Sequence, residues 1–279
     1  MDNQKKTYEQ ELNEFWADLR FKNVVLKFCD ENQEELRDKL SQVEYMPFLG
    51  EELEDADFDF AYRFLNSVTR LSIRISNFYE DIYIPNIKLR KSKKVRPGEG
   101  RICGNDKSQS IILPDKQLTE SDFLIICHEL GHVPQFVFGM RDYYEYIEAL
   151  PIFFEYLGCK ELYPEYYDVL FKELIKKRCS SYSDTCLDID YESRKEYNTD
   201  AGEKYCKEIF MEILKINNFR YIKSADIALQ LIERQEENKR LFNTIIYDYI
   251  TGYKPMREVV EDLDINTKDC KTLVKYVGE

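Results

Sequence analysis

The chain holds two histidines, His128 and His132, four residues apart in "ICHELGHVPQF" (126–136), with Glu129 directly after the first. On a helix, at about 100° per residue, the two imidazoles lie about 40° apart and one turn from each other, so both can reach one point. Neutral imidazoles and a carboxylate converging on one point, with a coordination position left for water, are what catalytic zinc requires. Glu129 falls on the flank of the same face, where it can touch that water without competing as a ligand. H-E-x-x-H with the Glu as general base is a known zinc motif. Leu130 points to the rear and belongs to the core. Gly131 has no side chain, which lets backbone or substrate come close. Pro134 must kink or end the helix just after His132.

A third ligand should come from a following helix. In "YYEYIEALPIFFEYLG" (143–158) the candidates are Glu145, Glu148 and Glu155. Glu148 and Glu155 are seven apart, hence within about 20° of each other on a helix and roughly two turns distant. One can bind metal while the other orients a ligand or fixes the helix. Glu145 lies about 60° off that line and reads more simply as solvated.

These side chains need elements to carry them. "LTESDFLIICHELGH" (118–132) opens a helix, with Thr119 or Ser121 able to cap it and acidic residues in its first turn. Before it, "SIILPD" (110–115) is β-branched, short and ended by Pro114, the best strand candidate. Further back, "KLRKSKKVRPGEGRICGNDKSQS" (88–110) has six basic residues between Lys88 and Arg96 and then three glycines, which reads as a solvated loop. The first ninety residues carry apolar residues at helical spacing. Further helices are expected at 141–158, 164–179, 201–216, 224–252 and 256–263, with 179–200 as a long loop.

Composition narrows the partners. Fifty-three acidic against forty basic residues give a net charge of −13, which opposes approach to nucleic-acid phosphates and to anionic membrane surfaces. Peptide or protein partners are favoured. No signal-like run follows the first residues, and the longest purely apolar run is "FLIIC" at 123–127, far short of a membrane span. The expectation is a cytoplasmic protein. Eight cysteines stand singly with no CxxC and read as free thiols, Cys127 as a small buried apolar residue.

The residues quoted above resemble a known family. "HELGH" followed by "IEALPIFFE" is similar to the thimet oligopeptidase and oligoendopeptidase F family of zinc metallopeptidases, and the closing segment 219–267 resembles that family's last helices. The resemblance implies Glu148 as third metal ligand and Glu155 as a second glutamate supporting the site. It implies a strand edge beside the motif helix that aligns the substrate backbone, and a tyrosine that stabilises the oxyanion. Tyr221 in "NNFRYIKSADIA" matches that tyrosine best by position, with Tyr247, Tyr249 and Tyr253 as rivals. The sequence departs where the family has a further His three residues after the motif, here Gln135, and where it has a downstream His, here absent.

The expected architecture is therefore mainly α, a zincin-like helical metallopeptidase with a small β-sheet edge beside the active-site helix. Residues 1–95 would form an N-terminal helical region and 96–279 the catalytic region. The expected function is Zn2+-dependent hydrolysis of short or unfolded peptides by His128, His132, Glu148, Glu129 and Tyr221. The alternative is a weakened zincin-like protein that binds a peptide or protein partner in its cleft. A deformylase reading would need a cysteine ligand, and Cys103 in "RICGND" lacks the "GCLS"-like surroundings of that group.

Overall fold

A computed structural model of the chain describes residues 61, 63, 87–96, 99–104, 108–138, 146–180 and 207–278, with the side chains of 136, 138, 179, 180 and 207–219 aside. The expected helices before position 87, apart from the helical Ala61 and Arg63, the expected loop 179–200 beyond Ser180, and Glu145 lie outside the described residues. Within them the fold is mainly α with one small sheet.

The sheet has three strands in the order β1-β3-β2 (β1 Ile87–Ser92, β2 Arg101–Gly104, β3 Gln109–Pro114), β1 parallel and β2 antiparallel to the central β3. The basic stretch read as a loop thus supplies two strands. In β1, Ile87 and Leu89 are buried while Lys88 and Arg90 are exposed, a period of two hidden inside a charge run. β3 buries Ile111 and Leu113, matching the strand expected at 110–115.

From β3 the chain enters α1 (Glu120–Phe138), which packs against β2 and β3. Thr119 stands at its start, and the buried Asp122 carboxylate accepts both the Thr119 backbone N–H at 2.7 Å and its hydroxyl at 2.8 Å. Two donors that the helix cannot satisfy internally are met, and the negative charge sits at the favourable end of the helix dipole. The helix runs four residues beyond Pro134 to Phe138; the proline removes one hydrogen bond without ending the helix.

Helix α2 (Ala149–Leu162) is the hub, buried from Ala149 through Cys159 and packed against α1, α3 (Tyr167–Ser180) and α4 (Lys207–Glu237). Phe153 and Phe154 are fully buried, each worth about 1.5–3 kcal/mol of apolar transfer. α2 begins at Ala149, after a turn at 146–148, so Glu148 is its N-cap and not a mid-helix residue.

α4 is one helix of 31 residues where two were expected. The polar "NNFRYIK" between the two apolar runs is helical throughout and brings Tyr221 towards α1. Asn238 then accepts the Leu241 N–H at 3.1 Å and starts α5 (Lys239–Ile250). α6 (Met256–Asp262) and α7 (Lys271–Gly278) close the described chain. Lys223, Asp226, Gln230 and Arg234, along one side of α4, hold the 263–273 segment through its backbone.

Candidate metal centre

The close approach of α1 and α2 creates the site. A Cβ on Gly131 would meet the Pro151 backbone, and one on Gly158 would stand 2.9 Å from Cys127 Sγ. Two glycines, one on each helix, let the ligand-bearing faces nearly touch. Cys127 is fully buried as expected, and burial pushes its thiol up.

Across this contact His128 Nε2 lies 3.0 Å and His132 Nε2 3.1 Å from Glu148 Oε2. The other nitrogen of each ring faces an acceptor: His128 Nδ1 is 2.7 Å from Glu155 Oε1, and His132 Nδ1 is 3.0 Å from Gln135 Oε1. Those acceptors select the tautomer with the hydrogen on Nδ1 and a bare lone pair on Nε2. With both rings neutral, the buried Glu148 Oε2 receives no hydrogen bond. Three lone-pair atoms within 4.8 Å of one another and without a donor among them fit a metal cation. Tetrahedral zinc with bonds of about 2.0–2.1 Å would set neighbouring ligand atoms about 3.3 Å apart, close to the separations seen.

The surrounding charges reinforce this. Burial opposes a charge on His128, but the carboxylates of Glu155 and Glu148 outweigh it and push the imidazole up to about 9. The same negative potential attracts a divalent cation, which competes with that proton. Glu148 is buried, yet His132, His128 and Arg220 hold its carboxyl well below the usual range; Arg220 bonds its other oxygen, Oε1, at 2.9 Å. Glu155 is likewise buried and held low, by Arg178 and His128. Arg178 bonds both Glu155 oxygens and lies 3.4 Å from His128 Nδ1.

Glu129 is buried, and burial raises its carboxyl above the ordinary value against the pull of the two histidines. Beside it, Gly100 precedes β2, and a Cβ there would lie 3.3 Å from Glu129 Oε1 and run into Ile125. The residue that leads into β2 therefore lies directly beside Glu129.

Tyr221 stands with its ring centroid 6.2 Å from that of His128, half-buried between the guanidiniums of Arg178 and Arg220, which lie 5.0 and 4.9 Å from the ring. Burial and Glu148 push its phenol up to about 12, so it keeps its hydrogen at neutral pH. Of the rival tyrosines, Tyr253 is 85% exposed, and Tyr249 is fully buried with its hydroxyl accepting from Gln135. Cys103, exposed in β2, is not part of the cluster.

The structure thus brings His128, His132, Glu148, Glu155, Glu129 and Tyr221 together. Sequence reasoning missed Arg178, Arg220 and the bonding of Gln135. Arg220 adjoins Tyr221 and Gln135 is one helical turn past His132, spacings that could have flagged both; nothing local marks Arg178.

Solved peptidase structures share this fold. An oligoendopeptidase F from Bacillus anthracis str. Ames is 16% identical, with a TM-score of 0.52 over 99% of this chain and 55% of its own. A second oligoendopeptidase F gives 15% and 0.55 over 91% and 54%. A PZ peptidase A solved with an inhibitor gives 14% and 0.59 over 92% and 57%. The likeness is one of fold. The chain spans little more than half the length of each of these proteins. No protein-family model and no curated protein matches the sequence.

Proposed function

We propose that the chain is a zinc-dependent metallopeptidase that hydrolyses peptide bonds in short or unfolded peptides, with His128, His132 and Glu148 holding the metal. The observation that carries this reading is the convergence of His128 Nε2, His132 Nε2 and Glu148 Oε2 beside the buried Glu129. The peptidases of similar fold support it.

A zinc ion held by these residues would supply Lewis acidity toward a water and the scissile carbonyl. Glu129 accepts the proton of the attacking water and returns it to the leaving amine nitrogen. Its raised carboxyl favours this, because a base is most useful when its pKa approaches the working pH. Tyr221, still protonated, donates its O–H toward the carbonyl oxygen as negative charge develops, the role that a downstream histidine would otherwise share. Glu155, itself held by Arg178, keeps His128 in its ligating tautomer, and Arg220 leaves Glu148 one oxygen for the metal.

Among the described residues β2 pairs only with β3, so its outer side offers backbone groups beside Glu129 to an extended peptide. No described helix is long and apolar enough to cross a membrane, and Cys103, Cys127, Cys159 and Cys270 are free thiols; we read the protein as acting in the cytoplasm.

The test is metal analysis of the purified protein with a quenched-peptide assay, with and without a chelator. The reading requires about one zinc per chain, cleavage abolished by chelation, and loss of cleavage with retained zinc in Glu129→Gln. Protein without zinc, or a variant that cleaves as well as the parent, sinks it.

A further inference from the structure

We infer that Gln135 is a positioning residue that locks the two ligand-bearing helices of the metal site together through a single side-chain amide. The inference rests on the metal-site reading above and concerns a residue outside the ligand set.

Gln135 lies one turn beyond His132 on α1 and is 8% exposed. Its Oε1 faces His132 Nδ1 at 3.0 Å. Its Nε2 donates to the Ile147 carbonyl at 2.8 Å and to the Tyr249 hydroxyl at 3.1 Å. Ile147 immediately precedes Glu148, the residue that opens α2. One amide therefore touches the ring of one ligand and the peptide unit that carries another, and it is itself braced by a fully buried tyrosine of α5.

The bonding is directional. A backbone carbonyl accepts only, so Ile147 O must receive the amide N–H, which turns Oε1 toward His132. A carbonyl oxygen against Nδ1 demands Nδ1–H and leaves Nε2 as the lone-pair atom. Were the amide reversed, an N–H donor would face Nδ1, the ring hydrogen would move to Nε2, and His132 would point a donor at the metal. The carbonyl beside Glu148 thus sets the tautomer of His132.

Zinc affinity measured by competition with a chromogenic chelator, together with melting of the metal-free protein, tests this in Gln135→Met and Gln135→Glu. Met fills the volume with no hydrogen bond. Glu still accepts from Nδ1–H but gives Ile147 O no donor. A positioning role predicts Kd for zinc raised about 10–100-fold in Q135M and raised less in Q135E, in each case by more than the fall in metal-free melting accounts for. Parental zinc affinity in Q135M overturns the inference, and so does an affinity loss that merely tracks a fall in metal-free melting in both variants. If Q135M does not fold, Q135E decides: a raised Kd supports the role and a parental Kd overturns it. A parent protein that binds no zinc overturns the metal-site reading itself, a distinct result.

Discussion

A Cβ placed on Gly131 would stand 2.5 Å from Pro151 Cα, so α1 and α2 touch backbone to backbone one residue from a metal ligand. The contact sets how far His132 stands from Glu148. Any side chain at position 131 must wedge the helices apart. Gly131→Ala should therefore cost about 1–3 kcal/mol as an overpacked contact and weaken zinc binding in parallel. Gly278→Ala, where an added Cβ meets nothing within 4 Å, should change neither. Thermal melting with and without zinc checks this; a G131A protein as stable as the parent contradicts it.

Glu148 and Glu155 both reach His128, but only Glu148 presents an oxygen to both rings. Glu148→Gln should abolish stoichiometric zinc. Glu155→Gln should retain the site with affinity lowered about 10–100-fold, and should also destabilise the fold by leaving Arg178 without its carboxylate. Equilibrium dialysis against zinc separates the two; equal losses would mean that the assignment of ligand and supporter is wrong.

Tyr221→Phe removes a hydroxyl and little volume. If the phenol meets the developing oxyanion, kcat should fall about 100–1000-fold with KM and zinc content unchanged. Steady-state kinetics on a quenched peptide give the answer, and an unaltered kcat would exclude Tyr221 from the reaction.

Asp226 is buried and accepts the Leu273 N–H at 2.7 Å, anchoring the last helix. Burial pushes its carboxyl up from 3.8 to about 7. The folded state thus binds this proton more tightly than the unfolded state. The associated stability is complete below about pH 4 and lost as pH rises through 7, on the order of 4 kcal/mol across the window. Glu129, also raised by burial, acts in the same direction, so the difference between parent and Asp226→Asn isolates Asp226. Chemical denaturation from pH 5 to 8 should show the parent losing stability faster than D226N; parallel curves would dismiss the effect.

The site was legible where chemistry and helical period coincide. His128, Glu129 and His132 declare themselves because i, i+1 and i+4 on one helix share a face. Thr119 and Asp122 announce the helix start for a similarly local reason. What could not be read were arrangements settled by distant contacts. β1 was hidden because lysine and arginine occupy its outward positions, and a charge run overrides the eye for alternation. The continuity of α4 through "NNFRYIK" depends on packing against α2, α3 and α7, not on local propensity. Glu148 was expected within a helix and instead opens one, which frees its carboxylate to face α1. Arg178 reaches Glu155 from a separate helix, and no spacing in the sequence joins them.

The basic residues of β1 serve the sheet's outer boundary. Among the described residues both β1 and β2 border the sheet, yet they border it differently. Lys88, Arg90 and Lys91 are exposed on the first, three cations within four residues. The four-residue β2 carries one cation, Arg101, and ends in Gly104. Of the two flanks, the one beside Glu129 carries the fewer cations, so a strand laid there meets less like-charge repulsion from the sheet if it is itself basic.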